Sequence, residues 1–457
     1  MRSVLGWIAV VMGAGSTLVA AEPGGREAEV GPRFVSIGRD ALDAALAVAE
    51  RRGAPLRILD IDADVAAIEV DAGDLGLLAE EVHARHDRCG GFVVHDTVGA
   101  AIAALPVHAA AAAVRPETDY PLDRAEAVRT VLPTLDAGRI RDTIRELSAM
   151  QNRYYQSATG AAASIWLRDR WRGLSARPEV TVELVDHGYA QRSVVLTIPG
   201  GARADEVVVI GGHLDSIAVG GAGSTAPGAD DDASGIATIT EVARVLLAHD
   251  YRPARTVKFM AYAAEEVGLR GSQLIARDYQ RRGIRVVGAL QLDMTNYQGS
   301  DKDIWLMKDF TSAAQNGFLI QLIEGYVGAT WGLDACGYAC SDHASWFRTG
   351  VPASMPFESR SRDRNRAIHT RRDTLETSGN NAAHAVKFAR LAAAYAIELA
   401  KGEIAAPPAP PAPAPEIAAT EDRSAAPGAP GHPGAAACIA LFLICLWFAR
   451  AAAARIG

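Results

Sequence analysis

The pattern of hydrophobic and polar positions divides the chain into two folded zones. In the first, between residues 33 and 96, strand-like and helix-like runs follow each other in the order βαββαβ. Strands are predicted at RFVSI, LRILDI, VAAIEV and GFVVHD, and helices at DALDAALAVAERR and DLGLLAEEVHARH. This order is typical of a small α+β module of the split-βαβ type. The module has no catalytic constellation, so it is expected to be a folding-assistant or inhibitory pro-region rather than a second enzyme.

The second zone begins near Leu122 and has the pattern of an α/β domain. Two helical runs, AGRIRDTIRELSAMQ and GAAASIWLRDRWRGL, precede the short β-rich runs EVTVELV and SVVLTI. Strands and helices then alternate through EVVVIGG, SGIATITEVARVLLAHD, TVKFMAYAA, GSQLIARDYQRRG and VVGALQLD. Because these strands are almost continuously apolar, both faces of the sheet should be covered. We therefore predict an α/β fold with a mostly parallel central sheet flanked by helices on both faces.

The two ends of the chain differ in composition from the folded zones. Residues 1–21 combine a lone Arg2 with an apolar run and small final residues, which predicts a secretory signal peptide. Residues 403–434 are rich in proline and alanine and predict an extended linker. Residues 435–457 predict a hydrophobic helix with a basic end, either a membrane anchor or a cleaved sorting tag.

Charge and cysteine content narrow the expected environment and partners. The 457 residues carry a net charge of -8, which argues against nucleic acid as a partner. Export leads to an oxidising compartment, where Cys336 and Cys340 in CGYAC are expected to form a disulfide rather than a redox or metal site. Cys89 has no obvious partner.

Three successive strands of the second zone each end in side chains that can bind a metal ion. His213 follows VVVIGG, Glu265–Glu266 follow KFMAYAA, and Asp293 follows GALQL. Ligands of open α/β sheets bind beyond the carboxyl ends of the strands, so these side chains should meet in one crevice. The aspartates at 230–232 belong to the same edge. A further strand is predicted at ASMPF, and His369 in the following loop AIHTRRDT offers a further ligand. This set suits zinc and is too large for one tetrahedral ion, so two ions are predicted.

The segments GGHLDS, PGADDDASG, MAYAAEEVGLRGSQ, LQLDMTNY, CGYACSDHASW, MPFES and IHT occur in this order. Together they resemble the bacterial leucyl aminopeptidase family of secreted dizinc exopeptidases, over residues 122–401. The resemblance implies one zinc on His213 and Asp293, a second on Glu266 and His369, and Asp231 as the bridge between them.

The resemblance also implies roles for neighbouring residues. Glu265 would be the general base on the metal-bridging water, Asp215 would orient His213, and Tyr338 would help stabilise the oxyanion. Asp230 and Asp232 would be structural acceptors at the loop and the helix start. Residues 22–117 would be a pro-region that a maturation protease removes to leave the catalytic domain, residues 118–402.

A hydrophobic pocket for the first substrate side chain is implied at Met294, Met355, Phe357 and Ile368. The sequence departs from the family nearby, because Ser361 and Arg364 stand where aromatic residues are usual. Such a pocket should be wider and more polar than a strict leucine pocket. The alternative is a displaced loop whose arginine side chains point to water.

Several other polar residues are expected to have structural roles. Asp342 is expected to cap a helix and His343 to pack, ahead of metal binding. Asp373 is expected to be a loop or cap residue, and His83, in the N-terminal module, is given no function.

The expected function is that of a secreted or membrane-anchored dizinc aminopeptidase. It would act as a monomer on the N-termini of peptides or proteins and prefer leucine-like residues. Carboxypeptidase action or glutaminyl cyclisation on the same scaffold are alternatives within enzymes. A binding module on an inactive scaffold is a further alternative, although the complete ligand set with Glu265 argues against it.

Overall fold

The computed structural model describes residues 30–88, 90–105 and 120–404. The predicted signal peptide, Cys89, nearly all of the linker and the hydrophobic C-terminal helix therefore lie outside the described residues. Within the described ranges, no helix is both long and apolar enough to cross a membrane.

The N-terminal module has the predicted order of elements. Its sheet has the strand order β2-β3-β1-β4, in which every neighbouring pair is antiparallel. The module consists of β1 (Pro32–Gly38), α1 (Leu42–Arg52), β2 (Arg57–Ile61), β3 (Val65–Asp71), α2 (Leu75–His86), β4 (Phe92–His95) and α3 (Val98–Ala103). The helix α2 ends at Asp87, which adopts a left-handed conformation with φ 51°.

The second zone is built on two sheets with helices around them. Its strands are β5 (Thr181–Val185), β6 (Ser193–Ile198), β7 (Arg203–His213), β8 (Arg255–Tyr262), β9 (Arg285–Gln291), β10 (Ile304–Met307), β11 (Trp331–Asp334), β12 (Ala353–Ser354) and β13 (Pro356–Phe357). Its helices are α4 (Ala125–Val131), α5 (Ala137–Ser148), α6 (Ala158–Arg172), α7 (Ala233–Ala248), α8 (Arg270–Arg281), α9 (Ala313–Leu322), α10 (His343–Arg348) and α11 (Ala385–Ala400).

The central sheet is mostly parallel, as predicted. Its strand order is β12-β9-β7-β8-β6-β5. The first four strands run parallel to one another, and β6 and β5 continue the sheet antiparallel. The prediction of one strand at ASMPF is wrong, because the run divides between β12 of this sheet and β13 of the smaller sheet β11-β10-β13. Pro356 begins β13, and a proline cannot donate a hydrogen bond to a sheet ladder.

Helices cover both faces of the central sheet. On one face, side chains of α5, α7 and α11 join the strands in one large hydrophobic core. On the other face, Ile275 and Tyr279 of α8 pack with Trp346 of α10 against the sheet. The apolar helix α7 starts where the Asp232 side chain accepts the amide of Gly235, an N-cap that satisfies a free backbone donor.

The N-terminal module shares a hydrophobic core with the second zone. Val35, Ile68 and Leu78 of the module lie in one cluster with Ala264 and Val267, which follow β8. Since β8 is a central parallel strand, this contact places the module against the carboxyl edge of the main sheet.

Candidate metal centre and substrate pocket

Three neighbouring parallel strands bring the predicted ligands to one edge of the sheet. His213 is the last residue of β7, Glu265–Glu266 follow β8, and Asp293 follows β9. Because β8, β7 and β9 are adjacent in the sheet, their carboxyl ends meet, as the sequence predicted. The turn of residues 230–232 leads into α7 at the same edge.

The Asp231 carboxylate lies between the two predicted histidines. Its Oδ1 is 2.9 Å from Nε2 of His213, and its Oδ2 is 3.2 Å from Nε2 of His369. Each oxygen thus faces a different imidazole, so this one carboxylate lies between the two histidines.

The other two ligands divide between the same two histidines. Oε2 of Glu266 lies 2.7 Å from Nε2 of His369, and Oδ1 of Asp293 lies 3.5 Å from Nε2 of His213. His213 and Asp293 therefore form one group of candidate ligands, His369 and Glu266 form another, and Asp231 lies between the two groups. Ligand atoms of His213, Asp231 and Glu266 come within 4.8 Å of one another, close enough for metal coordination.

Asp232 also lies near His213 and Asp293, but its oxygens are used by the backbone. Its Oδ1 accepts the amides of Gly235 at 2.8 Å and Met294 at 3.1 Å. Its Oδ2 accepts the amide of His213 at 3.0 Å. A carboxylate engaged in this way positions three segments of the site, which agrees with the structural role expected for it.

Asp215 holds the turn that carries the two glutamates. Its Oδ1 accepts the amide of Glu265 at 3.0 Å, and its Oδ2 accepts the amide of Glu266 at 3.1 Å. The expected contact with His213 is longer, at 3.5 Å from Nδ1 to Oδ1. The side chain therefore positions both glutamates in addition to facing the histidine.

Asp373 and Arg153 support the aspartate turn, and sequence reasoning missed both roles. The Asp373 carboxylate accepts the amides of Asp230 and Asp231, each at 3.1 Å. The fully buried Arg153 donates to the carbonyls of Leu214, at 2.8 Å, and Gly228, at 2.9 Å. Asp373 is distant in the chain from the turn, and the residues around Arg153 form no recognisable motif. Nothing in the neighbouring sequence therefore indicated that either residue contacts the turn.

Burial and neighbouring carboxylates shift the pKa values of the groups at the centre. Desolvation lowers the pKa of His213, but the charges of Asp293 and Glu265 outweigh it and raise this pKa well above its ordinary value. Burial raises the pKa of Glu266 to about 7, and the charge of Asp231 acts in the same direction. Burial also raises the pKa of Glu265 well above its usual range. A cation among these groups would stabilise their ionised forms.

The buried oxygens fit a metal ion. Oε2 of Glu265 and Oδ1 of Asp293 accept no hydrogen bond from any residue that the structure describes. Buried carboxylate oxygens without donors are costly, and a cation is the usual compensation. Histidine nitrogen with aspartate and glutamate oxygen is a donor set that zinc accepts.

Three residues of the centre have a left-handed backbone conformation. Ala264, which precedes the two glutamates, has φ 57°, Met294 after Asp293 has φ 57°, and His369 has φ 55°. Non-glycine residues adopt this left-handed conformation rarely, and such strain persists where the surrounding structure enforces it. The strain fixes the direction of ligands that come from separate loops.

An apolar cluster lies beside the centre. The predicted pocket residues are all buried in it: Met294, Met355, Phe357 and Ile368. The structure joins Cys336 to Cys340 by a disulfide, and both cysteines pack with Tyr338 against this cluster. Ser361 and Arg364 line one cavity with Met294, Met355 and Phe357. The polar residues that replace the usual aromatic ones therefore lie at the pocket itself.

The N-terminal module reaches the centre directly, through His83, to which the sequence assigned no function. The imidazole of His83 lies 4.5 Å from that of His369, measured between ring centroids. The guanidinium of Arg88 lies 5.1 Å from the centroid of the Tyr338 ring. Docking of one module on another is not encoded in local patterns, so the sequence of α2 gave no signal for this contact.

Asp342 and His343 are positioned at the start of α10, but Asp342 does not cap it. Its side chain makes no capping hydrogen bond and instead accepts from Nε2 of Gln291 at 3.2 Å. His343 is buried, as expected for a packing residue, and its Nε2 lies 3.1 Å from the carbonyl oxygen of Asp309.

Comparisons with known proteins agree with this centre. The model of peptidase family M28 matches residues 193–395, a range that includes every predicted ligand. The chain is 37% identical to Leucine aminopeptidase 1 of Uncinocarpus reesii over 286 residues, which are 59% of this chain and 71% of that protein. It is 33% identical to Leucine aminopeptidase 1 of Blastomyces gilchristii over 388 residues, which are 82% of this chain and 99% of that protein.

Solved structures give the same result for the fold. The LapA aminopeptidase of Legionella pneumophila superposes with a TM-score of 0.70 at 29% identity, over 81% of this chain and 99% of that one. LapB of the same organism has a TM-score of 0.68 at 28% identity, over 81% of this chain and 100% of that one. Together with the clustered metal ligands, these similarities establish that the chain belongs to peptidase family M28 and is a metallo-aminopeptidase.

Proposed function

We propose that the chain is a secreted dizinc aminopeptidase that removes leucine-like residues from the N-termini of peptides. The proposal that two metal ions bind rests on the Asp231 carboxylate, because one of its oxygens faces His213 and the other faces His369. One tetrahedral zinc ion uses four ligands, whereas the centre offers two histidines and three carboxylates.

When bound, the two ions would lower the pKa of the attacking water and polarise the scissile carbonyl. Glu265 would take the proton of that water. This role is supported by its carboxyl group, which is buried and has one oxygen without a hydrogen-bond donor among the described residues. The same group can then return the proton to the leaving amine. Asp215 fixes the backbone of Glu265, and Tyr338 lies beside the cavity where an oxyanion would need a donor.

The preference for an apolar first residue rests on the cluster of Met294, Met355, Phe357 and Ile368. Their side chains form one buried cluster beside Asp293, so an apolar substrate side chain would replace water there. Burying a leucine side chain favours binding by roughly 1.5–3 kcal/mol.

We further propose that the N-terminal module is an inhibitory pro-region. The contacts of His83 with His369 and of Arg88 with Tyr338 put the module where a peptide substrate would bind. Cleavage between residues 105 and 120 would then release the active form. Secretion, and an anchor or sorting role for the C-terminal segment, rest on the sequence of the two ends alone.

The experiment is to compare peptides that differ only at the N-terminus. The purified, proteolytically matured chain is incubated with leucyl peptides that carry a free or an acetylated α-amine. We expect stepwise loss of N-terminal residues from the free peptide and none from the acetylated one. Loss of C-terminal residues, or a product lighter by one ammonia from an N-terminal glutamine, would replace this proposal by one of its alternatives.

A further inference from the structure

Arg364 introduces a positive charge into the substrate pocket. It lines one cavity with Met294, Met355 and Phe357, and Asp293 lies at the same cavity. Its side chain is only 10% exposed. Among the described residues that line the cavity, Arg364 is the one cationic side chain. An arginine in this place is unexpected for a pocket that accepts apolar side chains alone.

The guanidinium of Arg364 has donors that the protein leaves unused. One nitrogen donates to the carbonyl of Ser361 at 2.7 Å. The Nε and a terminal nitrogen are buried and meet no hydrogen-bond acceptor in the part of the chain that the structure describes. Buried, unused donors on a charged group are costly, which favours a ligand that accepts from them.

A carboxylate from the N-terminal module faces this guanidinium. Oδ1 of Asp87 lies 3.5 Å from the same terminal nitrogen of Arg364, an ion pair without a hydrogen bond, and Oδ2 of Asp87 pairs with Arg366. Asp87 directly follows α2, the helix that also brings His83 to the centre. Removal of the module would therefore take away the carboxylate that balances Arg364.

The pocket is almost filled while the module is docked. The cavity measures ≈ 20 Å³, which is room for about one water molecule and too little for a substrate side chain. Asp87 contacts both Arg364 and Arg366, so removal of the module would remove a contact from each of them. Release of Asp87 would free the guanidinium of Arg364.

We propose that Arg364 is a specificity-determining residue that accepts the side-chain carboxylate of an N-terminal glutamate or aspartate, and that Asp87 takes the place of that carboxylate before maturation. This inference rests on the proposed aminopeptidase function and extends its substrates to acidic residues. Arginine–carboxylate pairs in buried sites are strong and directional.

The test uses the full-length chain with a specific protease site introduced between residues 105 and 120. The module is thus present during folding and is released afterwards. We would measure kcat/KM on fluorogenic amides of Glu, Gln and Leu, since Glu and Gln differ in charge but hardly in shape. We expect Glu to exceed Gln by roughly tenfold or more, and Arg364→Gln to abolish most of this ratio, because a charged hydrogen bond is lost. Arg364→Lys should retain part of it.

Arg366→Gln is the matched control. Arg366 also pairs with Asp87, but its side chain is 58% exposed and it does not line the cavity. This variant should keep the Glu-to-Gln ratio of the parent chain. A ratio near one in the parent, or an equal ratio in parent and Arg364→Gln, would overturn the inference while Leu hydrolysis still supports the aminopeptidase. Failure to hydrolyse any of the three amides would overturn both.

Discussion

Asp215→Asn is the substitution whose consequences follow most directly from the geometry. The two carboxylate oxygens of Asp215 accept the consecutive amides of Glu265 and Glu266, at 3.0 and 3.1 Å, in a buried position. An asparagine offers one acceptor and one donor, so one of these amides would face an N–H group. Loss of one charge-assisted hydrogen bond and weakening of the other should lower the free energy of unfolding by about 2–4 kcal/mol.

The same change should also impair catalysis. The amides of Glu265 and Glu266 fix the backbone that carries the proposed base, and a displacement of about 1 Å in an active site can cost roughly 10²-fold in rate. We therefore expect kcat on a leucyl amide to fall by about 10² even with excess zinc, and zinc affinity to fall by about 10–100-fold.

The assay combines chemical denaturation, kcat at saturating zinc and metal analysis by mass spectrometry. Asp186→Asn is the control, because Asp186 accepts one backbone amide, that of Gly188 at 2.8 Å, and its side chain is 50% exposed. It should change stability by less than about 1 kcal/mol. Unchanged stability and kcat in Asp215→Asn would refute the positioning role. Reduced zinc with an unchanged rate per bound metal would mean that Asp215 acts through His213 alone.

Three further substitutions test the proposed base, a proposed metal ligand and the module. Glu265→Gln should keep its metal while kcat falls by about 10²–10⁴, whereas Glu266→Ala should lose metal; the opposite pattern would reverse the two roles. Burial, together with the charges of Arg348 and Arg277, lowers the pKa of His95 to about 3. In the unfolded chain, the pKa of a histidine is near 6.5. The contribution of His95 to stability is therefore complete above pH 6.5. By pH 5 the free energy of unfolding falls by about 2 kcal/mol, because a proton binds His95 in the unfolded chain but not in the folded one. His95→Gln should remove this share of the acid sensitivity in thermal unfolding at pH 7.5 and 5.0, and an equal pH effect in both chains would contradict it.

The regular elements were predictable because their signals are local. Apolar runs placed β6, β7, β8 and β9 and the helices between them, and adjacency of parallel strands then placed His213, Glu266 and Asp293 together. The run ASMPF was misread because its division between two sheets depends on which strands lie beside it. The local hydrophobic pattern does not show which strand will pair with which.

The parts of the site that were missed are set by contacts distant in the chain. Asp373 binds the aspartate turn from 142 residues away, and His83 meets His369 across a boundary between two modules. Asp342 had the position of a helix cap, but its buried carboxylate finds a partner in Gln291 instead. In each case the residue type and its neighbours suggested a common local role, and the tertiary structure supplied a different partner.

The most direct test of the account is the zinc content of the active, matured chain. The protein is exchanged into zinc-free buffer, its bound metal is measured by mass spectrometry, and hydrolysis of a leucyl amide is recorded on the same sample as zinc is restored stepwise. The account predicts two zinc ions per chain at full activity, because Asp231 faces both His213 and His369. Full activity with one zinc ion per chain would contradict it.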